Sequence, residues 1–306
     1  MGDAAASFTP HRADLIGLAY RMTGSLAEAE DIAQDSFLRW AAADRAAVAA
    51  PRAWLLTVAA RLSLDHLRSA RVRRERYVGP WLPEPVIEDP RPPQQAAHEQ
   101  AQDLSVAFLL TLQRLSPAER AVFILHDLFE TPFSEIAALL NRPEPACRKL
   151  ASRARNRLAE AAPRFPVTDA EAERVARAFL AASRKGDLAA LRGLLAADAV
   201  LHTDGGGIRP AALNPVFGAD RVGRFFAGLA RKLPGVPPLL HLGRINGLPG
   251  FVTLEPDGLP QTTALELRDG RISAIYIIRN PGKLLSLRLP DASAAEGESH
   301  GAAHGG

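Results

Sequence analysis

The chain has 306 residues, 47% of them apolar, and a formal charge of +3. That length predicts two or three domains, and so small a net charge leaves any nucleic-acid partner to be read from how the charge is distributed. Cys147 stands alone, which excludes an internal disulfide and a cysteine-based zinc cluster. No basic segment followed by an apolar run opens the sequence, and no stretch reaches the roughly 18 apolar residues of a membrane span, so the expectation is a cytoplasmic chain that does not enter a membrane.

Composition divides the chain at 1–77, 78–96, 97–163, 164–290 and 291–306. In the first segment, Glu28 to Trp40 reads as a helix with Ile32, Ser36, Phe37 and Trp40 on the inward face. Asp31, Gln34, Asp35 and Arg39 fall on the other faces, as a solvated surface or a docking face for a partner. The next helix starts near Pro51, a residue suited to a first helical turn. Trp54, Leu55, Val58 and Leu62 form its apolar stripe, and it ends in a run of arginines that includes Arg68 and Arg71. Such a concentration of cations at one helix end suits phosphate contact.

Residues 78–96 hold six prolines and no helical period, which makes them a linker. Helices resume in 97–163. Ser116, Pro117 and Glu119 form a capping-box start, and Thr131-Pro132 opens a second helix that stops near Asn141. A third helix is expected from about Pro145, with Leu150, Ala154 and Leu158 as its buried stripe. Its remaining surface carries Arg148, Lys149, Ser152, Arg153, Arg155 and Arg157. Two short helices, the second basic, describe a helix-turn-helix. Arg148 is placed to read guanine, with Arg153, Arg155 and Arg157 on phosphates. A basic helix in an ordinary bundle remains the alternative.

From 164 to 290 the pattern predicts helices at 168–182, 187–195 and 218–233, then short strands joined by the turns Pro256-Asp257-Gly258 and Asp269-Gly270. Helices followed by an antiparallel meander predict an α+β domain. His202 and Asp204 alternate onto one side of a strand, as an acid–base pair or, on the reading favoured here, as a packed side chain and the start of a turn. The histidines have no metal-ligand spacing, and no cofactor is expected. The last segment, 291–306, is small and polar and predicts disorder.

These residues resemble a known family. The stretch AEDIAQDSFLRW is similar to the sigma region 2 helix that docks on core RNA polymerase, and PRAWLLTVAARLSLDHLRSARVRRE to the helices that melt and read the −10 element. LSPAERAVFILHDLFETPFSEIAALLNRPEPACRKLASRARNRL resembles the region 4 helix-turn-helix that reads the −35 element. Together they resemble an extracytoplasmic-function (ECF) sigma factor. The segment 164–290 resembles a SnoaL-like, NTF2-like cone. A subgroup of ECF sigma factors carries that domain, with a WLPEP motif, here Trp81, Leu82, Pro83, Glu84 and Pro85, and a DGGG motif, here Asp204, Gly205, Gly206 and Gly207. Its NPDKL-like motif reads Asn280, Pro281, Gly282, Lys283 and Leu284, with Gly282 in place of the acidic residue.

The resemblance implies two all-α sigma domains followed by an α+β domain. It implies core polymerase at Asp31, Gln34, Asp35 and Arg39, and −10 DNA at Arg61, Asp65, Arg68 and Arg71. The −35 DNA falls to Arg148, Lys149, Ser152 and Arg153. It further implies control in cis, without a separate anti-sigma factor, and leaves room for a small-molecule ligand in the cone. Trp81 in a linker needs cover, so the linker is expected to dock near Asp204–Gly207 or Asn280–Leu284. A duplex-binding regulator that works without polymerase and a SnoaL-type enzyme fused to a binding module are the competing readings.

Overall fold

Short polar side chains cap six of the described helices at their starts. The computed structural model describes residues 2–74, 77–87, 105–159, 168–233, 235–287 and 289. The side chains of 70–74, which include Arg71, and the expected tail from 291 lie outside the described residues. Helix α1 (Gly2–Phe8), which the sequence pattern did not suggest, leads into α2 (Arg12–Thr23), α3 (Leu26–Ala42) and α4 (Pro51–Arg74). Gly24 ends α2 at φ 75, a left-handed turn that glycine adopts without strain. Ser25 then caps α3 by accepting a hydrogen bond from the Glu28 amide.

The second helical group comprises α5 (Val106–Arg114), α6 (Pro117–Phe123), α7 (Phe133–Leu140) and α8 (Glu144–Ala159). The expected Ser116/Glu119 capping box is present. A π-turn over Ile124–Leu128 follows α6. Helix α8 starts at Glu144, one residue before the expected start, because a proline is tolerated in a first turn. Its buried stripe is Cys147, Ala151, Ala154 and Leu158. Leu150, expected in that stripe, is only partly buried. The stripe is set one residue further round the helix, on small side chains that allow close approach.

The third group runs α9 (Asp169–Lys185), α10 (Leu188–Leu194), β1 (Leu195–Asp204), β2 (Val216–Phe217), α11 (Ala219–Lys232), β3 (Leu239–Ile245), β4 (Leu248–Leu254), β5 (Pro260–Arg268), β6 (Arg271–Ile278) and α12 (Pro281–Leu284). The sheet order is β2-β1-β6-β5-β4-β3. Strands β3 to β6 form the expected antiparallel meander, but β1 joins it parallel to β6, so the sheet is mixed. Strand alternation gives the sheet two apolar faces. Leu201, Phe251, Leu265, Ile275 and Ile277 pack against α9 and α11 through Val175, Phe179, Val222 and Phe226. Val252, Ala264, Ala274, Tyr276 and Ile278 pack on the other side, with Leu82 of the linker and Val106 and Leu110 of α5.

Candidate functional site

The linker is extended over 77–87, and its WLPEP segment is largely buried: Leu82 is 1% exposed. Burying a leucine side chain contributes about 1.5–3 kcal/mol, but the polar contacts fix where the segment lies. Asp204, at the end of β1, is fully buried. Its Oδ1 accepts from the Tyr77 hydroxyl at 2.5 Å and from the Gly206 amide at 3.0 Å. Its Oδ2 accepts from the Leu82 amide at 2.9 Å and from Lys283 Nζ at 2.7 Å. Lys283 also donates to the Leu82 carbonyl. The ammonium stands 4.1 Å from the Trp81 ring centroid and 4.9 Å from that of Tyr77, close enough for cation–π attraction. Asn280 caps α12 through the Gly282 amide and donates to the Tyr77 hydroxyl at 2.8 Å. Burial, and then the Asp204 carboxylate, push the Tyr77 hydroxyl well above the usual tyrosine pKa, so it remains a donor.

Gly206 (φ 64) could not be replaced without movement, since a Cβ there would stand 2.4 Å from Asn280 Nδ2. At Gly205 a Cβ would meet the Arg209 carbonyl at 2.1 Å. Gly207 lies against Val78. All three motifs therefore meet at one buried charge. Gly282 keeps its place in the cap through its backbone amide, so the missing acidic side chain removes none of these bonds.

A second junction joins the linker to the first helical group. Glu84 is buried, and its carboxylate accepts from Ser25 Oγ at 2.7 Å, the Leu26 amide at 2.8 Å and the Ala27 amide at 3.3 Å. A carboxylate at the start of α3 satisfies orphan amides and opposes the helix dipole. The Glu84 carbonyl accepts from the Tyr20 hydroxyl at 2.6 Å, and that hydroxyl accepts from Asn246 Nδ2 at 2.7 Å. Asn246, in the β3–β4 turn, also exchanges two hydrogen bonds with the Val86 backbone. Tyr20 and Asn246 were not singled out in the sequence. The Asn246-Gly247 pair signals only a hairpin turn, and Tyr20 reads as a core aromatic.

The two helical groups share one apolar core that runs from Ala4 to Leu158. Arg120 of α6, 3% exposed, donates to the Met22 carbonyl at the end of α2 and to Leu112. The Trp81 ring lies over Gly24, where a Cβ would stand 2.4 Å from it.

Asp31, Gln34, Asp35 and Arg39 are all exposed on α3. Among them stands Leu38, 57% exposed, an apolar side chain that sequence periodicity did not single out. On α4, Arg61, Asp65 and Arg68 are exposed, with Arg68 paired to Asp65 at 3.0 Å. On α8, Arg148, Lys149, Ser152 and Arg153 are exposed together. Arg148 bonds Glu144 at 3.1 Å and lies 4.7 Å over the Phe133 ring.

His202 and Asp204 share the outer face of the sheet, away from the α9–α11 side. His202 stacks on Tyr276 at 5.4 Å, while Tyr276 donates to Glu266 at 2.7 Å. Burial, with the nearby Arg114 cation, lowers the His202 pKa. The inner side is filled by Phe179, Phe226 and Phe251, each less than 5% exposed. A cleft of about 230 Å³ opens at the rim among Arg184, Val236, Pro238, Leu254 and Glu255. Among the described residues there is no cluster of three metal-ligating side chains, and no helix is long and apolar enough to cross a membrane.

The sigma-70 region 2 family model matches residues 8–73, and the sigma-70 region 4 model matches residues 105–158. The ECF RNA polymerase sigma factor SigJ of Mycobacterium tuberculosis is 40% identical over 300 residues, covering 94% of this chain and 96% of that one. The probable ECF sigma factor SigI of the same species is 33% identical over 286 residues, covering 92% and 95%. The crystal structure of SigJ superimposes with a TM-score of 0.73 at 37% identity, over 92% of this chain and 98% of the other. The chain therefore belongs to the ECF RNA polymerase sigma factors, initiation factors that direct core RNA polymerase to promoter DNA, and behind its two sigma domains it carries a C-terminal α+β domain.

Proposed function

We propose that this sigma factor is regulated in cis by its C-terminal domain, which latches the linker over the two promoter-reading domains. The observation that carries the reading is Asp204, whose carboxylate holds Tyr77, the Leu82 amide and Lys283 at once. The −10 and −35 elements lie, by their names, about 25 base pairs apart, about 85 Å of B-DNA at 3.4 Å per base pair. Domains that share one apolar core do not span that distance. Engagement of both elements requires them to separate, and the latch sets how readily they do.

In the open chain, Asp31, Gln34, Asp35 and Arg39 meet core polymerase. Arg61, Asp65, Arg68 and Arg71 lie on the −10 element, and Arg148, Lys149, Ser152 and Arg153 on the −35 duplex. Residues 1–77 and 97–163 are then the reading domains, 78–96 the tether and 164–290 the control domain, with 291–306 a tail. The protein acts in the cytoplasm as an initiation factor rather than as an enzyme, since His202 and Asp204 are committed to packing and to the latch. Control from within the chain dispenses with a separate anti-sigma factor. A small-molecule signal has its place at the rim cleft beside Arg184 and Glu255 rather than in the filled interior.

The test is transcription in vitro with purified core polymerase on a library of promoter fragments. It compares the full chain, a chain ending at Pro166 and the Asp204→Ala chain. Initiation rates that differ from the full chain in both variants support control in cis; equal rates on every fragment reject it.

A further inference from the structure

The solvent face of α11 differs from the other outer helix of the domain. On α9, Asp169, Glu171 and Glu173 precede Arg174 and Arg177, and Arg174–Glu171 and Arg177–Glu173 pair along the helix. That balance is what a helix needs when it faces only water. On α11, Val222, Gly223, Phe226 and Ala227 are buried. At about 100° per residue, Arg221, Arg224, Gly228, Arg231 and Lys232 occupy the opposite face, and the four cations are exposed. Neighbouring helix ends add to it. Gly186 packs on Ala227 and Ala230, which brings Lys185 beside the end of α11. Arg192 of α10 reaches Asp220 at 2.6 Å. Asp220 is shared between Arg192 and Arg224. Among the described residues, Arg221, Arg231, Lys232 and Lys185 have no carboxylate partner. Arg221 and Arg231 lie about 15 Å apart along the axis at 1.5 Å per residue. That is comparable to the width of the B-DNA major groove, about 12 Å.

We propose that this face, formed by Arg221, Arg224, Arg231, Lys232, Lys185 and Arg192, binds the phosphate backbone of duplex DNA flanking the promoter elements. The third domain is then a sequence-independent DNA-binding module as well as a regulator. A face with a strong excess of positive charge, whose carboxylate Asp220 is already shared between Arg192 and Arg224, gains by releasing the counterions of DNA. Nothing on it is shaped to read a base, so it contributes affinity without specificity.

The test measures binding of the full chain to a random-sequence duplex by fluorescence anisotropy over a range of salt. Arg221→Gln, Arg231→Gln and Lys232→Gln are combined. A control chain loses three cations elsewhere in the same domain, through Arg174→Gln, Arg177→Gln and Arg268→Gln. At about 0.9 per phosphate contact, the α11 triple variant is expected to flatten the slope of log K against log salt by about 2.7 and the control to leave it unchanged. Arg231→Gln alone is expected to flatten it by about 0.9. A parental slope in the α11 variant overturns the proposal, and so does an equal loss in both triple variants. Unchanged DNA binding with weakened binding of core polymerase overturns it too, and assigns the face to an acidic protein surface.

Discussion

Lys283 Nζ stands 2.7 Å from Asp204 Oδ2, with the two side chains 9% and 0% exposed. The same ammonium bonds the Leu82 carbonyl, and the same carboxylate oxygen accepts the Leu82 amide. The pair thus grips both backbone groups of one linker residue. Removing one partner of a buried ion pair costs about 3–5 kcal/mol. Lys283→Ala is therefore expected to speed exchange of the Leu82 amide hydrogen a hundredfold or more, at about 1.4 kcal/mol per tenfold. Replacing both charges, Asp204→Leu with Lys283→Met, does not restore stability, because the Leu82 amide and carbonyl stay buried without partners at about 1–3 kcal/mol each. Native-state hydrogen exchange of the parent and both variants checks this. Parental protection in the double variant contradicts it.

The Glu84 junction predicts a coupling across the whole chain. Tyr20→Phe deletes a hydroxyl that bonds the Glu84 carbonyl and receives Asn246. Asn246→Ala removes the other end. Each is expected to destabilise by about 1–3 kcal/mol, since buried groups lose partners. Residues in one hydrogen-bond network couple by about 0.5–3 kcal/mol, so the double variant should cost measurably less than the sum of the singles. Urea unfolding of the four chains gives the cycle, and strict additivity would show that the two groups do not cooperate.

Gly24 predicts a packing effect distinct from a capping effect. Its φ of 75 already disfavours a side chain, and a Cβ would stand 2.4 Å from the Trp81 ring and 2.9 Å from Gln113 Nε2. Gly24→Ala should therefore both strain the end of α2 and push the Trp81 ring away from it. Gly186 also ends a helix at positive φ, but its Cβ would stand no closer than 3.1 Å to its neighbours. The expected order of destabilisation is Gly24→Ala above Gly186→Ala, read from thermal melts. Only the former should shift the tryptophan emission, which Trp81 shares with Trp40 and Trp54.

Much of this architecture was legible in the sequence. Caps such as Ser116/Glu119 and turns such as Asp269-Gly270 act locally, and the three linker and domain motifs carried the resemblance. Two relationships were not legible. The shared core of the sigma domains depends on which faces of α2, α5 and α6 meet, and an apolar stripe does not name its partner. The Tyr20–Asn246 bond joins residues that no local pattern relates. Parallel pairing of β1 with β6 was likewise hidden, because α11 and the meander separate the two strands in sequence.

Acid is expected to loosen the contact between α5 and the sheet. His202 has its pKa lowered chiefly by burial and secondarily by Arg114, so the packed domain favours the neutral ring. The unfolded ring titrates near 6.5. The stability that His202 contributes is therefore complete above about pH 6.5 and is lost as the pH falls below it toward the folded value. His241 is lowered by burial as well and adds a change of the same sign. His202→Phe keeps an aromatic ring on Tyr276 but cannot accept a proton, so the slope of stability against pH between 7 and 5 should flatten. Chemical denaturation at several pH values measures it, and an unchanged slope in the variant assigns the acid sensitivity elsewhere.

The exposed cations of α8 should separate into two kinds when a promoter is available. Arg148 lies in the first turns of the helix, where side chains reach base edges. It is held by Glu144 and stacked on Phe133, so its guanidinium is pre-positioned rather than free. Arg148→Ala is expected to cost about 1–3 kcal/mol on the preferred −35 sequence and to relax selectivity at one base pair. Arg153 lies further along the helix, and Arg153→Ala should weaken all sequences alike and reduce the salt slope by about one. Glu144→Gln supplies the internal check. If Arg148 reads a base, losing its carboxylate partner frees the side chain to wander, and selectivity should fall while phosphate-dependent affinity rises slightly with the lost negative charge. If Arg148 contacts only phosphate, Glu144→Gln should raise affinity on every −35 sequence by the same factor. Binding of the polymerase holoenzyme to a set of −35 variants at two salt concentrations distinguishes the two.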